Sequence, residues 1–309
     1  MKGVKIMYFP YLRGKLFELK AIEELVKNKK INNNIVPIIE PVNEKSQFER
    51  LVLYMIDNKK KFVAIQNAQV GSYKKINTKE FKDARNSKFF IKGRIIKSQS
   101  DIDILQKMST EETAAVFLDS DIFNLDVSKI DNDKVLKIIP DNTSFKMKFQ
   151  NAKKLILLDD KFNKQERNAD YLKKKDELFS IDHQIFNNAG YFGFSDYSII
   201  GKEYNDHGFA PLAVSIHLVY FGDKDELRIR HFTSDSNADI RDPNGKVLEA
   251  LEKFAVWYDR QPKKNHSLGA DILRENYDTK LYHGLGVLKK YSIMHHLEIM
   301  NRYLDERKK

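Results

Sequence analysis

The side chains that could do chemistry fall at the ends of short apolar runs. Arg13 and Lys15 follow the first run, Glu40 the second, and Gln66 and Asn67 the third. Arg94 lies in the fourth, Asp119 and Asp121 follow the fifth, Asp141 the sixth, Asp159 and Asp160 the seventh, and Asp196 and Tyr197 lie in the eighth. If these runs are parallel strands, their carboxyl ends converge on one axis, which is where ligands bind in parallel α/β folds. Carboxylates dominate the set, with two arginines among them. Such a rim can hold a divalent cation such as Mg²⁺ or Mn²⁺, pair with the arginines, or lift one carboxyl's pKa far enough for acid–base work. All three are chemistry used on phosphate esters and glycosides. Taken singly, an acid at a strand end serves equally well to cap the helix that follows.

Sharper motifs are missing. The chain has no GxxxxGK[ST] loop, no GxGxxG after a strand, no HExxH and no GxSxG, so phosphate-loop hydrolase and zinc-protease readings fall away. His295 and His296 sit in an apolar helical segment and read as packing residues before metal ligands. His183 beside Asp182, and His231 before Thr233, Ser234 and Asp235, could take part in acid–base work. Lysine runs at 59–61, 173–175 and 263–264, and Tyr73 beside Lys74 and Lys75, could meet phosphates; such runs are also ordinary solvated helix ends.

The elements that must position these residues alternate. Strand candidates at 4–11, 35–40, 62–66, 89–96, 115–119, 135–139, 154–158 and 191–199 are separated by helical patterns at 15–29, 45–59, 78–86, 100–109 and 164–177. In the first of these, Leu16, Leu19, Ile22 and Val26 recur at helical spacing. Eight strands in about 200 residues predict a TIM-like (β/α)8 barrel, in which closure leaves no strand edge exposed; an open doubly wound sheet is the alternative. After this region, 213–221 and 227–234 flank the turn 222–226 and predict an antiparallel hairpin. Runs at 246–258, 268–276 and 279–305 are helical, with Gly284 and Gly286 interrupting the last. No linker intervenes, so a barrel region over 1–200 and a hairpin and helical elaboration over 201–309 are expected in one domain. Since a closed barrel offers no edge, the hairpin 213–234 should pack on a face or a mouth and, with the C-terminal helices, form a partner-binding or lid element outside the barrel.

Composition bounds the rest. With 309 residues, 41% of them hydrophobic, the chain can bury a full core. The 54 Lys and Arg against 44 Asp and Glu give a net charge of +10, which makes anionic partners, nucleic acid first, worth testing. No helix-turn-helix, zinc-finger or RNP pattern points to sequence-specific reading. The absence of cysteine rules out disulfides and thiolate metal sites. No apolar run reaches the length of a bilayer span and no signal peptide is visible, which reads as a cytoplasmic protein without a membrane segment.

Several phrases carry a family likeness: PYLRGKLFELKAIEEL, VPIIEPV, NAQVG, DDKFNKQERNADY, GYFGFSDYSIIGKEY, GFAPLAVSIHLVYF, LRIRHFTSDSNADI and YSIMHHLEIM. Together they span nearly the whole chain and resemble a bacterial group related to the phage-associated beta-protein family. Leu172 stands where that family has proline after NADY, and Ala68 where it has proline in NPQVG, which bears on loop rigidity. The resemblance implies a place in defence islands or mobile elements, often beside a small PD-(D/E)XK nuclease-like partner, and gives context in place of a reaction. Within its phrases, Glu40, Asp159, Asp196 and His231 are the catalytic candidates. Arg13, Lys15, Arg94, Arg167, Asn168, Tyr197 and Arg230 are the binding candidates, chosen from the strand ends and the phrases together. The resulting expectation is a component of a phage-defence or mobile-element system that binds an anionic ligand or nucleic acid together with a nuclease-like partner. The alternative is a metal-dependent barrel phosphodiesterase or hydrolase using Mg²⁺ or Mn²⁺, with metal ligands unassigned.

Overall fold

The apolar runs pair side by side in chain order. In the computed structural model, which describes residues 7–43, 46–73, 78–108, 111–118, 122–205 and 212–307, they form one eight-stranded parallel sheet. Its strands are β1 (Tyr11–Leu12), β2 (Ile38–Ile39), β3 (Phe62–Ile65), β4 (Phe90–Ile95), β5 (Thr113–Val116), β6 (Val135–Pro140), β7 (Leu155–Asp159) and, after an excursion, β9 (Gly193–Asp196). The sheet curls back on itself: just before β1, Tyr8 bridges both Ile35 and Phe194, and the Phe9 amide donates to the Phe194 carbonyl at 2.9 Å. The result is the TIM-like barrel.

Side-chain alternation explains why the runs are apolar throughout. Phe9, Tyr11, Ile38, Val63, Ile65, Ile91, Ala114, Val116, Leu136, Ile138, Ile156 and Leu158 fill the barrel interior. Their neighbours, such as Tyr8, Phe62, Phe90, Phe117 and Ile139, point outward into the layer of helices, so both faces of the sheet are buried. Gly93 is small because the interior is full: a Cβ there would lie 2.6 Å from Val63 Cγ1. The outer helices over the first part of the chain are α1 (Leu16–Lys27), α2 (Ser46–Asp57), α3 (Lys79–Ala84), α4 (Gln99–Met108) and α5 (Thr143–Lys148).

One expectation is corrected. The segment 164–177 is not a helix; it is a loop with a 3₁₀ turn over Asn168–Leu172, leading into strand β8 (Asp176–Ser180). Tyr171 is the only fully buried side chain between 164 and 177, so no apolar stripe holds a helix to the barrel. This strand also gives the hairpin an edge to join. Strands β10 (Ser215–Phe221) and β11 (Leu227–Thr233) pair antiparallel, and β11 pairs antiparallel with β8, giving a small sheet in the order β10-β11-β8. That sheet draws on residues either side of position 200. A short helix, α6 (Asp182–Ile185), leads back to β9.

The remaining helices are α7 (Pro243–Tyr258), α8 (Leu268–Thr279) and α9 (Leu285–Glu306); the last starts later than the run 279–305 suggests, broken at Gly284 but not at Gly286, which lies inside it. Far from being peripheral, α9 lies against α1 and β10 and covers the barrel seam: His296 packs on Tyr8 at 5.6 Å and Lys290 pairs with Glu24 of α1 at 2.6 Å. It takes the place of the eighth outer helix, which is why it is buried along most of its length. Among the described residues no helix is long and apolar enough to cross a membrane.

Candidate functional site

At the carboxyl end of β1 and β2 the barrel interior closes on a buried charge pair. Arg13 Nη1 donates to Glu40 Oε2, an oxygen that also accepts from Tyr11 Oη at 2.8 Å, while Glu40 Oε1 takes the Gln69 amide at 2.6 Å. The Arg13 guanidinium lies between the rings of Tyr11 and Tyr197, 5.3 and 5.7 Å from their centres, and its Nη2 donates to the Lys202 carbonyl at 2.5 Å. Glu40 has 0% exposure and Arg13 7%, so the network is a plug, sealed from solvent. Burial and the neighbouring Glu40 carboxylate hold the Tyr11 phenol well above its usual pKa, which keeps it a donor. Over the plug runs the loop 198–205. Lys15 donates to the Asn205 carbonyl and lies 4.7 Å from the centre of the Tyr204 ring, and Asp160 accepts from the Lys202 amide at 2.9 Å.

The other strand-end residues do not share this mouth. Asp159 and Asp196 are register partners on β7 and β9, but both follow the outward-facing side of their strands. Asp159 pairs with Lys161 at 2.6 Å, and Lys161 reaches Asp182 at 3.0 Å. Asp196 is buried beneath α9, accepting from Tyr8 Oη and the Ser198 amide, both at 2.6 Å. Burial pushes its carboxyl up to about 7 against the pull of those two hydrogen bonds. Arg94 also points outward, to Asp101 of α4 at 2.7 Å. Asp141 pairs locally with Lys146, and Asn67 bridges to the Ile95 backbone at 2.9 Å. Asp119, Asp121, Lys74 and Lys75 lie outside the described residues. Glu40 on the one side, and Asp159 with Asp196 on the other, are therefore separated by the barrel wall. Among the described residues no group of three or more His, Asp or Glu is placed to hold a metal ion.

A second constellation forms beside the mouth, where the hairpin meets the β7 loop and the start of α9. His217 and His231 are cross-strand partners, Nδ1 to Nδ1 at 2.7 Å. On the far side His231 Nε2 meets Glu177 Oε1 at 3.4 Å, and Glu177 is held in turn by Lys174 at 2.6 Å and Asn163 at 3.2 Å. Although burial opposes it, those partners keep the Glu177 carboxyl below the usual range, so it is an acceptor. Tyr171 packs on both imidazoles, with ring centres 4.7 and 4.4 Å away, and Phe162 stands edge-on to His217 at 5.1 Å. Burial lowers the pKa of each histidine, so both are neutral near pH 7.

His217 lines a cleft of about 290 Å³ together with Lys164, Asn168, Tyr171, Ile199 and Lys289. Lys164 pairs only with exposed Glu203, at 3.0 Å, and Lys289 has no hydrogen bond or ion pair among the described residues. Although Lys289 is open to solvent, the surrounding walls lower its pKa; Glu18 opposes this, and Lys15 and Lys164 add to it. Glu18, in the first turn of α1, is buried, and burial raises its pKa against the Lys289 charge, the Arg13 and Lys15 backbone amides and the Lys15 charge. Asn168 is fixed to the Ala213 carbonyl at 2.8 Å, Arg167 is exposed outside the cleft, and Arg230 shares Asp176 with Arg228 on the solvent side of the small sheet.

Of the expected residues, the structure thus joins Arg13, Glu40, Tyr197 and Lys15 at one place, and Asn168 and His231 at another. Glu18, Glu177, His217 and Lys289 escape the sequence reading as site residues. One signal for His217 was present: it and His231 lie equally far from Lys224 at the centre of the turn, so the hairpin must set them opposite each other. Comparison of the chain with family models, with curated proteins and with solved structures finds no match.

Proposed function

We propose that the protein binds a phosphate-bearing anion, single-stranded nucleic acid first, in the cleft between the 162–171 loop and the start of α9. In this reading it serves a bacterial phage-defence or mobile-element system alongside a nuclease-like partner. The observation that carries it is Lys289: an ammonium inside a cleft, without a protein acceptor, beside Lys164 and within the field of Lys15. The charges of Lys15 and Lys164 work against the Lys289 ammonium, and an anion bound in the cleft relieves that repulsion. The net charge of +10 supports the same ligand class.

The test is anisotropy of a labelled single-stranded oligonucleotide titrated with the full chain at several salt concentrations. Binding should weaken with salt, and Lys164→Ala with Lys289→Ala should flatten the logarithmic slope by about 1.4, at about 0.7 for each single-strand phosphate that is no longer neutralised. No retention at low salt, or an unchanged slope in the double variant, overturns the cleft assignment. Co-purification with the product of the adjacent gene tests the partner.

A further inference from the structure

We infer that this cleft is a catalytic site for RNA, in which His217 Nε2 accepts the proton of a ribose 2′-hydroxyl as that oxygen attacks the adjacent phosphorus. The inference rests on the anion-binding reading above and adds a reaction to it. Its starting point is the chain of contacts Glu177–His231–His217. A carboxylate only accepts, so the proton of neutral His231 sits on Nε2, facing Glu177 Oε1 at 3.4 Å. That leaves His231 Nδ1 as a lone pair, and the 2.7 Å contact to His217 Nδ1 then requires the proton of His217 to sit on Nδ1. His217 Nε2 is the one nitrogen left as a proton acceptor. It has no protein partner among the described residues, and His217 lines the cleft. The Tyr171 and Phe162 rings fix both imidazole planes. Two anchored rings ordered by a carboxylate are the arrangement by which a base is held in one tautomer.

The substrate class follows from what such a base can do. A phosphodiester with a neighbouring hydroxyl carries its own nucleophile, so its cleavage needs a proton acceptor, a cation for the phosphorane charge and a proton donor. Lys289 and Lys164 supply the cations, lining the same cleft as His217. In the step, the O2′–H bond breaks with the proton passing to His217 Nε2, and the O2′–P bond forms. The P–O5′ bond breaks, and O5′ takes a proton from the Lys289 ammonium, which lines the same cleft as His217. The products are a 2′,3′-cyclic phosphate and a 5′-hydroxyl. No water or oxidant is consumed, and solvent returns the two residues to their starting states. The cleft, about 290 Å³, suits the nucleotide at the scissile bond.

The experiment uses the full chain and three doubly labelled 20-mers of one sequence, in EDTA: RNA, DNA, and RNA with 2′-O-methyl groups. All three should bind; only RNA should be cut, leaving a cyclic phosphate end. His217→Gln should keep binding and melting temperature while losing about 10²- to 10⁴-fold in rate. Glu177→Ala, which removes the acceptor for His231 Nε2 together with the Lys174 and Asn163 contacts, should lower kcat with KM unchanged, marking Glu177 and His231 as positioning residues. RNA that binds but stays intact overturns the inference while leaving the anion-binding reading standing, and cutting undiminished in His217→Gln overturns it as well. If none of the three binds, both readings fail together.

Discussion

Replacing Glu40 by alanine tests whether the plug at the barrel mouth holds the first two strands together. The substitution removes the acceptor for three donors at once: the Arg13 guanidinium, the Tyr11 hydroxyl at 2.8 Å and the Gln69 amide at 2.6 Å. Arg13 would be left buried at 7% exposure, keeping only the Lys202 carbonyl and the flanking tyrosine rings. Breaking a buried pair by removing one member costs about 3–5 kcal/mol, because the remaining charge has neither partner nor water. At about 2–4 °C per kcal/mol for a chain of this size, the melting temperature should fall by roughly 10 °C. Arg13→Ala should cost a similar amount for the mirrored reason. The double variant Arg13→Met/Glu40→Leu, which removes both charges and refills the volume, should cost less than the two single changes added together; the loss that persists comes from the Tyr11 hydroxyl and the Gln69 amide, about 1–3 kcal/mol each if unsatisfied. Urea denaturation of the four proteins measures the cycle. Strict additivity, with the double variant losing the sum of the singles, would show that the two charges do not depend on one another and would refute the plug.

Asp196 should make stability fall with rising pH. Its carboxyl titrates near 7 in the folded chain against an ordinary 3.8, so the folded state keeps a proton that the unfolded chain releases. The contribution is complete below pH 4 and is lost as pH rises through 7, up to about 4 kcal/mol in all, since each pH unit between the two values is worth about 1.36 kcal/mol. Asp196→Asn, an uncharged mimic, should gain on the wild type across that window in urea titrations; a constant difference from pH 4.5 to 7.5 would count against it. Gly269→Ala should destabilise by about 1–3 kcal/mol through overpacking, because its Cβ would stand 2.3 Å from the Tyr291 carbonyl of α9, a backbone atom that cannot turn aside. Gly286→Ala meets the Phe17 ring first, a side chain that can rotate, and should lower the melting temperature less.

Much of the barrel is legible in the chain alone, for a physical reason. A parallel sheet buried on both faces demands apolar, β-branched runs such as FVAI and LILL, and the helices between them need a stripe such as Leu19, Ile22 and Val26; both patterns are local. The hairpin is equally local, since its turn sets the register that brings His217 opposite His231. Strand β8 is not, because DELFS becomes a strand only where the edge of β11 is there to pair with it. Nor could strand-end position say which way a side chain turns. One residue of phase separates Glu40, inside the barrel, from Asp159 and Asp196 on its outer wall, and that phase is fixed by which neighbours fill the core. The candidate cleft depends on tertiary structure altogether: Glu18, Asn168, His217 and Lys289 are scattered over some 270 residues. They come together because α9 returns to cover the seam between the first and last barrel strands, the last unpaired apolar surface that closure leaves.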